Sequence, residues 1–467
     1  MAVARRTLVA LLATVCIAIS SAAAATSVNT TDFVGCLAVH LPPGIVYTQS
    51  SESYPSVLEF SIKNLRFVTP ATPTPLVIVK ATHATHGCAG SLQSLLSYTV
   101  RCGAAHGVRV RPRSGGHDYE GLSYRSLDAA RPFAVVDLAA LRAIRVDVRS
   151  RSAWVESGAT LGELYYGIAN KSARLGFPAG VGPTVGVGGH LSGGGFGLML
   201  RKHGLAADHV VDAVMDHFWA IRGGGGGSFG IVVSWKLRLV RVPATVTVFT
   251  VHRPRNQSAS DLLTKWQHVA PALPRDIILR VSLYLGRCTS VVATMSKMFP
   301  ELGVTRRDCI EMSWIESVLY FAFYGAGKLL LDRGTKPDRY FKGKSDFVHE
   351  TIPRDYYGFW WDNTTEASEQ HMGWVSGLHR EMEPYVSKSP RGAYVNYKDL
   401  DLGVNEYGGD GAGTNYEKAR AWGEAYFKDN FERLAAVKAK VDPSDFFSNE
   451  QSIPPLRLSG GNGTTRN

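Results

Sequence analysis

Hydrophobic and polar positions alternate through Ile144, Val146 and Val148 and resume at Trp154 and Val155 after a polar turn at 149–152, which predicts a β-hairpin. The stretch that follows places Thr160 to cap a helix carrying Leu164. Alternation returns at Ile231, Val233, Trp235, Leu237 and Leu239, a predicted strand that closes a first lobe before Pro243. Residues 245–251 and 277–285 read as strands separated by a polar, helix-prone stretch, and they open a second lobe. Val375, Leu378 and Met382 recur at helical spacing, as do Trp422, Tyr426, Phe431, Leu434 and Val437 behind a capping-box pair, Thr414 and Glu417; both apolar stripes are assigned to core. Between these helices AYVNYKDLDLG, residues 393–403, reads from its composition as an edge strand presenting Tyr394, Asn396 and Tyr397. No internal repeat is found. Strands and helices in this order predict a two-lobed α+β chain whose second lobe is a mostly antiparallel sheet with helices on one face.

Length and composition are those of a folded protein: 467 residues, 45% hydrophobic and 19% charged. At the amino terminus Arg5 and Arg6 precede an apolar run from Leu8 to Ile19 and then small residues, the layout of a secretory signal cleaved near Ala25. A membrane anchor is the competing reading, but the run falls short of the roughly 20 residues that a spanning helix needs, and no membrane association is expected. Export admits disulfides. Cys16 leaves with the signal, while Cys88 and Cys288 are free to pair or to stay reduced. His83, His86 and Cys88 are too sparse a set for zinc, and no metal is expected. Sequons at Asn29, Asn170, Asn256, Asn363 and Asn462 fit a glycosylated, extracellular or wall-bound protein. The formal net charge of +11 comes without a recognition motif or basic-aromatic interleaving, so nucleic acid is not an expected partner. Weak attraction to anionic cell-wall polysaccharide is the expected consequence of that charge.

The chemistry concentrates in three glycine-rich loops. The first, RSGGHDYEG at 113–121, frees backbone amides at Gly115 and Gly116 beside one histidine, which suits both a phosphate cradle and a covalent flavin anchor; Arg113 adds positive charge. Such a turn alone is more often a plain loop. The second runs from Gly180 to Gly197 and the third from Arg222 to Gly230. Pro183, His190 and Phe196 are interleaved in the second loop, which a flexible linker would not require. Backbone closely approaching a large planar ligand accounts for all three. A nicotinamide site is disfavoured, because the glycines lack the strand, Gly-x-Gly-x-x-Gly and downstream acid of a Rossmann unit.

Together with LGFPAG at 175–180, PTVGVGGHLSGGG at 183–195, FWAIRGGGG at 218–226, SWIESVLYFA at 313–322, PYVSKSPRGAYVNYKDLDLG at 384–403 and VDPSDFFSNEQSIPP at 441–455, the first loop resembles the plant berberine bridge enzyme-like family. Apart from two gaps, the resemblance covers the whole chain beyond the leader. It implies a PCMH-type FAD-binding domain at 26–243, a substrate-binding domain at 244–425 and a carboxyl-terminal segment at 426–467 that packs back on the first, after a signal at 1–25. It implies a covalent bond from His117 to the flavin 8α-methyl, which makes FAD a stronger hydride acceptor. Cofactor contacts fall to Arg113, Ser114, Gly115, Gly116, Asp118, Tyr119, Pro183, Thr184, Gly188, Gly189, Ser192, Gly195 and Asn396. Tyr394 becomes a pocket wall and Asn396 a partner of the ring. Val185 stands where the family gates oxygen, and valine there is the permissive choice. A second, cysteinyl tether is common in the family, but its position is Gly182 here, so a single covalent bond is expected. Phe196 replaces a tyrosine that can take a substrate proton, and a phenylalanine cannot accept one. Cys36 and Cys102 match positions that pair in the family, and Cys309 lies in a family-like segment.

Two segments of the family pattern are absent, one between Asp216 and His217 and a larger one between Trp360 and Trp361. The first omits a strand and turn, the second a sheet strand supplying polar pocket side chains, and unpaired backbone is costly. The expected function is a secreted, monomeric FAD-linked oxidase of alcohol groups on a carbohydrate, oligosaccharide or monolignol-type substrate, releasing hydrogen peroxide from O2. The alternative is a flavoprotein or wall glycoprotein that keeps the scaffold without turnover.

Overall fold

The computed structural model describes residues 30–82, 92–213, 218–252, 257–278, 282–322, 330–333, 340–352, 368–407 and 414–457. The signal segment, Cys88 with its neighbouring histidines, both sites of omission and the sequons at Asn29, Asn256, Asn363 and Asn462 lie outside these residues.

The first sheet has strand order β1-β2-β4-β3, from β1 (Val46–Thr48), β2 (Val77–Lys80), β3 (Arg109–Arg113) and β4 (Phe133–Asp137). β2 and β3 both run parallel to β4, which is buried at every position because protein covers both faces. Val77, Val79, Ala134 and Val136 point to one core, under the helices Thr30–His40 and Leu92–Ala105; Ile78, Phe133 and Val135 point to the other. A Cys36–Cys102 disulfide, Cα atoms 5.8 Å apart, joins those two helices. β3 runs directly into the first glycine loop, so the central strands fix where that loop begins.

The second sheet is antiparallel, in the order β5-β6-β9-β8, from β5 (Ile144–Asp147), β6 (Ser152–Glu156), β8 (Val210–Ala213) and β9 (Ser234–Arg238). The hairpin forms as the alternation predicts, and Thr160 caps the helix Leu161–Ala169 in a reciprocal capping box with Glu163. The strand predicted from Ile231 begins only at Ser234, because Ile231 and Val233 turn to pack against the first sheet's core. Among the described residues β8 pairs with β9 alone. A short ladder, β7 (Leu175–Gly176) with β10 (Val240–Arg241), closes this lobe.

The second lobe holds an antiparallel sheet in the order β12-β13-β11-β14, from β11 (Val246–Phe249), β12 (Ile277–Ile278), β13 (Leu283–Tyr284) and β14 (Cys309–Met312). Phe249, Ile277, Val291 and Met295 pack together on one side, with Leu262 and Trp266 of the helix Gln257–Val269 against them. Val246, Val248 and Leu283 join the core of the first lobe. Cys288, left open by the sequence, pairs with Cys309 and ties the start of the helix Cys288–Met298 to β14.

Four expectations are corrected. The stripe from Trp422 to Val437 is two helices, Tyr416–Phe427 and Asn430–Val441, broken where Lys428 adopts φ 52°. Asn415, not Thr414, caps the first of them; the Thr414 hydroxyl instead donates to Asp445 Oδ2 at 2.6 Å, where it helps to satisfy a buried carboxylate. Trp422, Phe431 and Leu434 are core as predicted, whereas Leu378, on the helix Ser368–Glu381, remains 38% exposed. Finally, residues 393–399 form no strand: Tyr397 N donates to Tyr394 O in a turn, which throws successive side chains toward one cavity.

Candidate functional site

The three glycine loops and the 394–398 turn converge on a cavity of about 570 Å³. Its walls include Ser114, Gly115, Gly116, His117, Asp118 and Tyr119 from the first loop, and Gly182, Val185, Gly188, Gly189, Ser192 and Phe196 from the second. Gly225, Gly226 and Gly227 come from the third, while Tyr394, Asn396, Tyr397 and Lys398 come from the turn. Asn449, from the carboxyl-terminal segment, completes it.

Close backbone packing requires two of the glycines. A Cβ at Gly116, where φ is +66°, would meet Ser61 O at 2.1 Å, and one at Gly115 would meet Gly186 N at 2.3 Å. At Gly189 the reverse holds: a Cβ would meet nothing within 4 Å, so the missing side chain leaves open cavity. A cavity walled by amide-bearing glycines on three loops, with aromatic rings at one side, fits a large, flat, phosphate-bearing ligand.

His117 sits on this wall with Nε2 2.9 Å from the Thr184 hydroxyl. Burial, then the positive charge of Lys63, push its pKa down to about 4 against an opposing bond to the Thr184 backbone; the lowering favours the neutral ring, in which one nitrogen keeps its lone pair. His190 is likewise lowered to about 4 by burial, with Nε2 accepting from Gly180 N at 3.1 Å. Asp118 Oδ1 accepts from the amides of Glu120 and Leu122, which fixes the turn after His117; burial raises its pKa.

From the 394–398 turn, Asn396 Nδ2 donates to His190 O at 3.1 Å and to Tyr394 Oη at 2.9 Å. Gly195 N donates to the same phenol oxygen at 3.0 Å. Burial raises the Tyr394 pKa, and these N–H groups, which favour the phenolate, oppose the rise. Tyr397 stacks on Tyr119 with ring centroids 4.7 Å apart, and Phe196 meets Tyr394 edge-on at 5.3 Å.

The remaining sequence-predicted residues are placed as follows. Thr184 and Gly195 support the wall through His117 and Tyr394, and Pro183 lies behind it, its carbonyl accepting from Gly162 N. Arg113 does not reach the cavity: its side chain is fully buried, with Nη2 2.8 Å from Asp137 Oδ2 and further bonds to the carbonyls of Val57 and Leu58. Its charge is neutralised there, and Arg111, two residues earlier on β3, lines the cavity instead. Lys398 and Gly193 were not singled out by sequence reasoning. Both lie inside motifs already quoted, but only the tertiary contacts distinguish them from their neighbours. Of the sequons, Asn170 is described and exposed at the end of the helix Leu161–Ala169.

Residues 93–215 match the family described as FAD binding domain, and residues 393–454 match Berberine and berberine like. The berberine bridge enzyme-like Cyn d 4 protein of Cynodon dactylon is 45% identical, covering 91% of this chain and 93% of its own length. That alignment is 499 positions long, more than this chain's 467 residues, so tens of the relative's positions have no counterpart here. Tetrahydroberberine oxidase of Berberis wilsoniae is 40% identical over 93% of this chain and 95% of its own. Among solved structures, the Bermuda grass isoallergen BG60 superposes with a TM-score of 0.83 at 44% identity, covering 91% of this chain and all of that one. Phl p 4, a grass pollen allergen with glucose dehydrogenase activity, superposes with a TM-score of 0.82 at 42% identity over 91% of this chain and 100% of its own.

Proposed function

Because this chain belongs to the berberine bridge enzyme-like family of FAD-dependent oxidoreductases, we propose that it is an exported oxidase of alcohol groups on a carbohydrate or monolignol-type substrate, with its cofactor anchored through His117. Bound FAD would supply the hydride acceptor, flavin N5, and would pass the electrons to dioxygen to give hydrogen peroxide. The observation that carries this reading is the convergence of His117, Asn396 and Tyr394 on one glycine-lined cavity. The free lone pair of a neutral His117 ring is what a bond to the 8α carbon needs, and Thr184 holds the ring in place.

The loop amides of Gly115 and Gly116 are the candidates for the pyrophosphate, and Asn396, its amide hydrogens spent on His190 O and Tyr394 Oη, has Oδ1 left for the ring edge. Gly182 brings no thiol, so His117 would be the single tether. Val185 lines the cavity with a small branched side chain that leaves room for dioxygen. Phe196 accepts no proton, which leaves Tyr394 to take the substrate hydroxyl's proton as its phenolate while the hydride leaves carbon. The N–H bonds from Asn396 and Gly195 support that phenolate. Glucose dehydrogenase activity in the structural relative Phl p 4 favours a sugar hydroxyl. Export is supported by the leader pattern, the Cys36–Cys102 and Cys288–Cys309 disulfides and the exposed sequon at Asn170. No helix among the described residues is long and apolar enough to cross a membrane.

Acid precipitation tests the anchor: yellow flavin should stay with the pellet of the wild type and be lost with His117→Ala. Acid-stable colour in His117→Ala would overturn the assignment. A peroxide screen over sugars and aromatic alcohols then tests turnover. Full flavin loading without peroxide would favour the scaffold-only alternative, for which the two omitted segments speak.

A further inference from the structure

Lys398 is a cation on the cavity wall that the proposed chemistry leaves unused. Among the described residues no carboxylate lies within ion-pair distance of it, in contrast to Lys342, Lys344 and Lys438, each of which is held by two or more carboxylates. Among the described residues its one hydrogen bond is to Gln451 O at 3.0 Å, which leaves ammonium hydrogens unspent. The rings of Tyr426 and Trp422, with centroids 5.1 and 5.7 Å from Nζ, flank the side chain and fix its direction. Among the described residues Asp118, next to His117, is the carboxylate that acts on it electrostatically. Burial pulls the lysine down to about 8 against the opposing pull of Asp118. A buried ammonium with spare donors, on a residue that lines a ligand cavity, is a site for negative charge on the ligand.

Resting on the FAD reading above, we propose that Lys398 is the fixed positive charge beside the flavin ring, a positioning residue that stabilises the negative charge the ring acquires on reduction. Its place fits this task. Asn396, the residue proposed to meet the ring edge, stands two residues earlier in the same turn, and Asp118, which acts on Lys398 electrostatically, directly follows the proposed anchor. Removing Lys398 should therefore leave the cofactor loaded and weaken the ring's hold on negative charge.

Sulfite is the probe, because its addition to N5 leaves an anionic ring and needs no substrate. In Lys398→Met, with acid-stable flavin still present, sulfite affinity should fall at least tenfold, whereas Lys398→Arg should stay within a few-fold of wild type. A tenfold shift in the two-electron equilibrium corresponds to a potential about 30 mV lower, measurable by dye equilibration. Lys398→Gln, whose amide can still reach Gln451 O, carries the same test should the methionine variant not load flavin. Unchanged sulfite affinity and potential in a loaded variant would overturn the proposal while leaving the FAD reading intact. Reduced loading with normal sulfite affinity would also overturn it, assigning the charge to the phosphates. A colourless wild type would instead sink the FAD reading on which the proposal rests.

Discussion

Gly193→Ala should act through one neighbour. Gly193 closes the helix Val187–Ser192 at φ −104° and ψ 20°, a conformation that alanine adopts, so the backbone does not oppose the change. The space does. An added Cβ would stand 1.9 Å from Asn396 Oδ1 and 2.4 Å from its Cγ, against a floor of 3.0 Å for real Cβ contacts. The amide must move by more than an ångström, and it then loses its bonds to His190 O at 3.1 Å and Tyr394 Oη at 2.9 Å. At about 0.5–1.5 kcal/mol for each bond, the expected loss is about 1–3 kcal/mol, reduced by about 0.5 kcal/mol because alanine narrows the unfolded ensemble. Urea denaturation of the four proteins of a double-mutant cycle, wild type, Gly193→Ala, Asn396→Ala and both together, reads the coupling. In the Asn396→Ala background the clash has no target, so Gly193→Ala should be neutral or slightly stabilising there. An equal cost in both backgrounds would refute the reasoning, since Asn396 would then not be what the new methyl displaces.

Arg113→Met should destabilise the fold by about 3–5 kcal/mol, because it leaves Asp137 buried and unpaired, and Arg113→Met with Asp137→Leu should recover much of that in the same denaturation assay. Weaker flavin loading at unchanged stability would instead return Arg113 to the phosphate role read from sequence. For Tyr394, burial raises the phenol above its ordinary value of 10, and in its proposed role the active form is the deprotonated one, so turnover should climb with pH and still be climbing at pH 10. Tyr394→Phe should lower kcat by about 100-fold or more and flatten that limb, and a pH profile of the same shape in the variant would assign the proton elsewhere.

What the sequence made legible follows from how local each signal is. The 144–155 hairpin and the Thr160 cap rest on neighbours in the chain, and both form as read. The site loops were visible because glycine at a tight approach cannot be replaced, as Gly115 and Gly116 illustrate. Arg113 shows the limit of composition: an arginine beside a glycine turn looks like a phosphate ligand until β4 brings Asp137 against it. The 393–399 segment has the β-branched and aromatic content of a strand, yet it turns, because its backbone is tied to other elements: Ala393 N to Ala425 O, Tyr394 N to Ser345 Oγ. Lys398 carried no signal of its own, since a lysine in a polar run is ordinarily solvated. Its meaning arises only from the rings and the cavity around it.

The carboxyl-terminal segment closes the cavity from a great distance along the chain. Glu450 meets Arg111 across 339 residues, and Asn449 beside it is part of the wall. Lys438 extends this closure, with Nζ donating to Ser228 O in the third glycine loop and to Phe447 O. During translation the anchor loop therefore emerges, and its sheet can form, long before the residues that seal it have been made. The cavity wall is in consequence complete only once the carboxyl-terminal segment has left the ribosome, and cofactor capture is expected to wait for it. A ribosome-stalled chain ending before Asn430 should be colourless even when its first lobe is folded, and the yellow colour of the finished protein serves as a readout of completed synthesis.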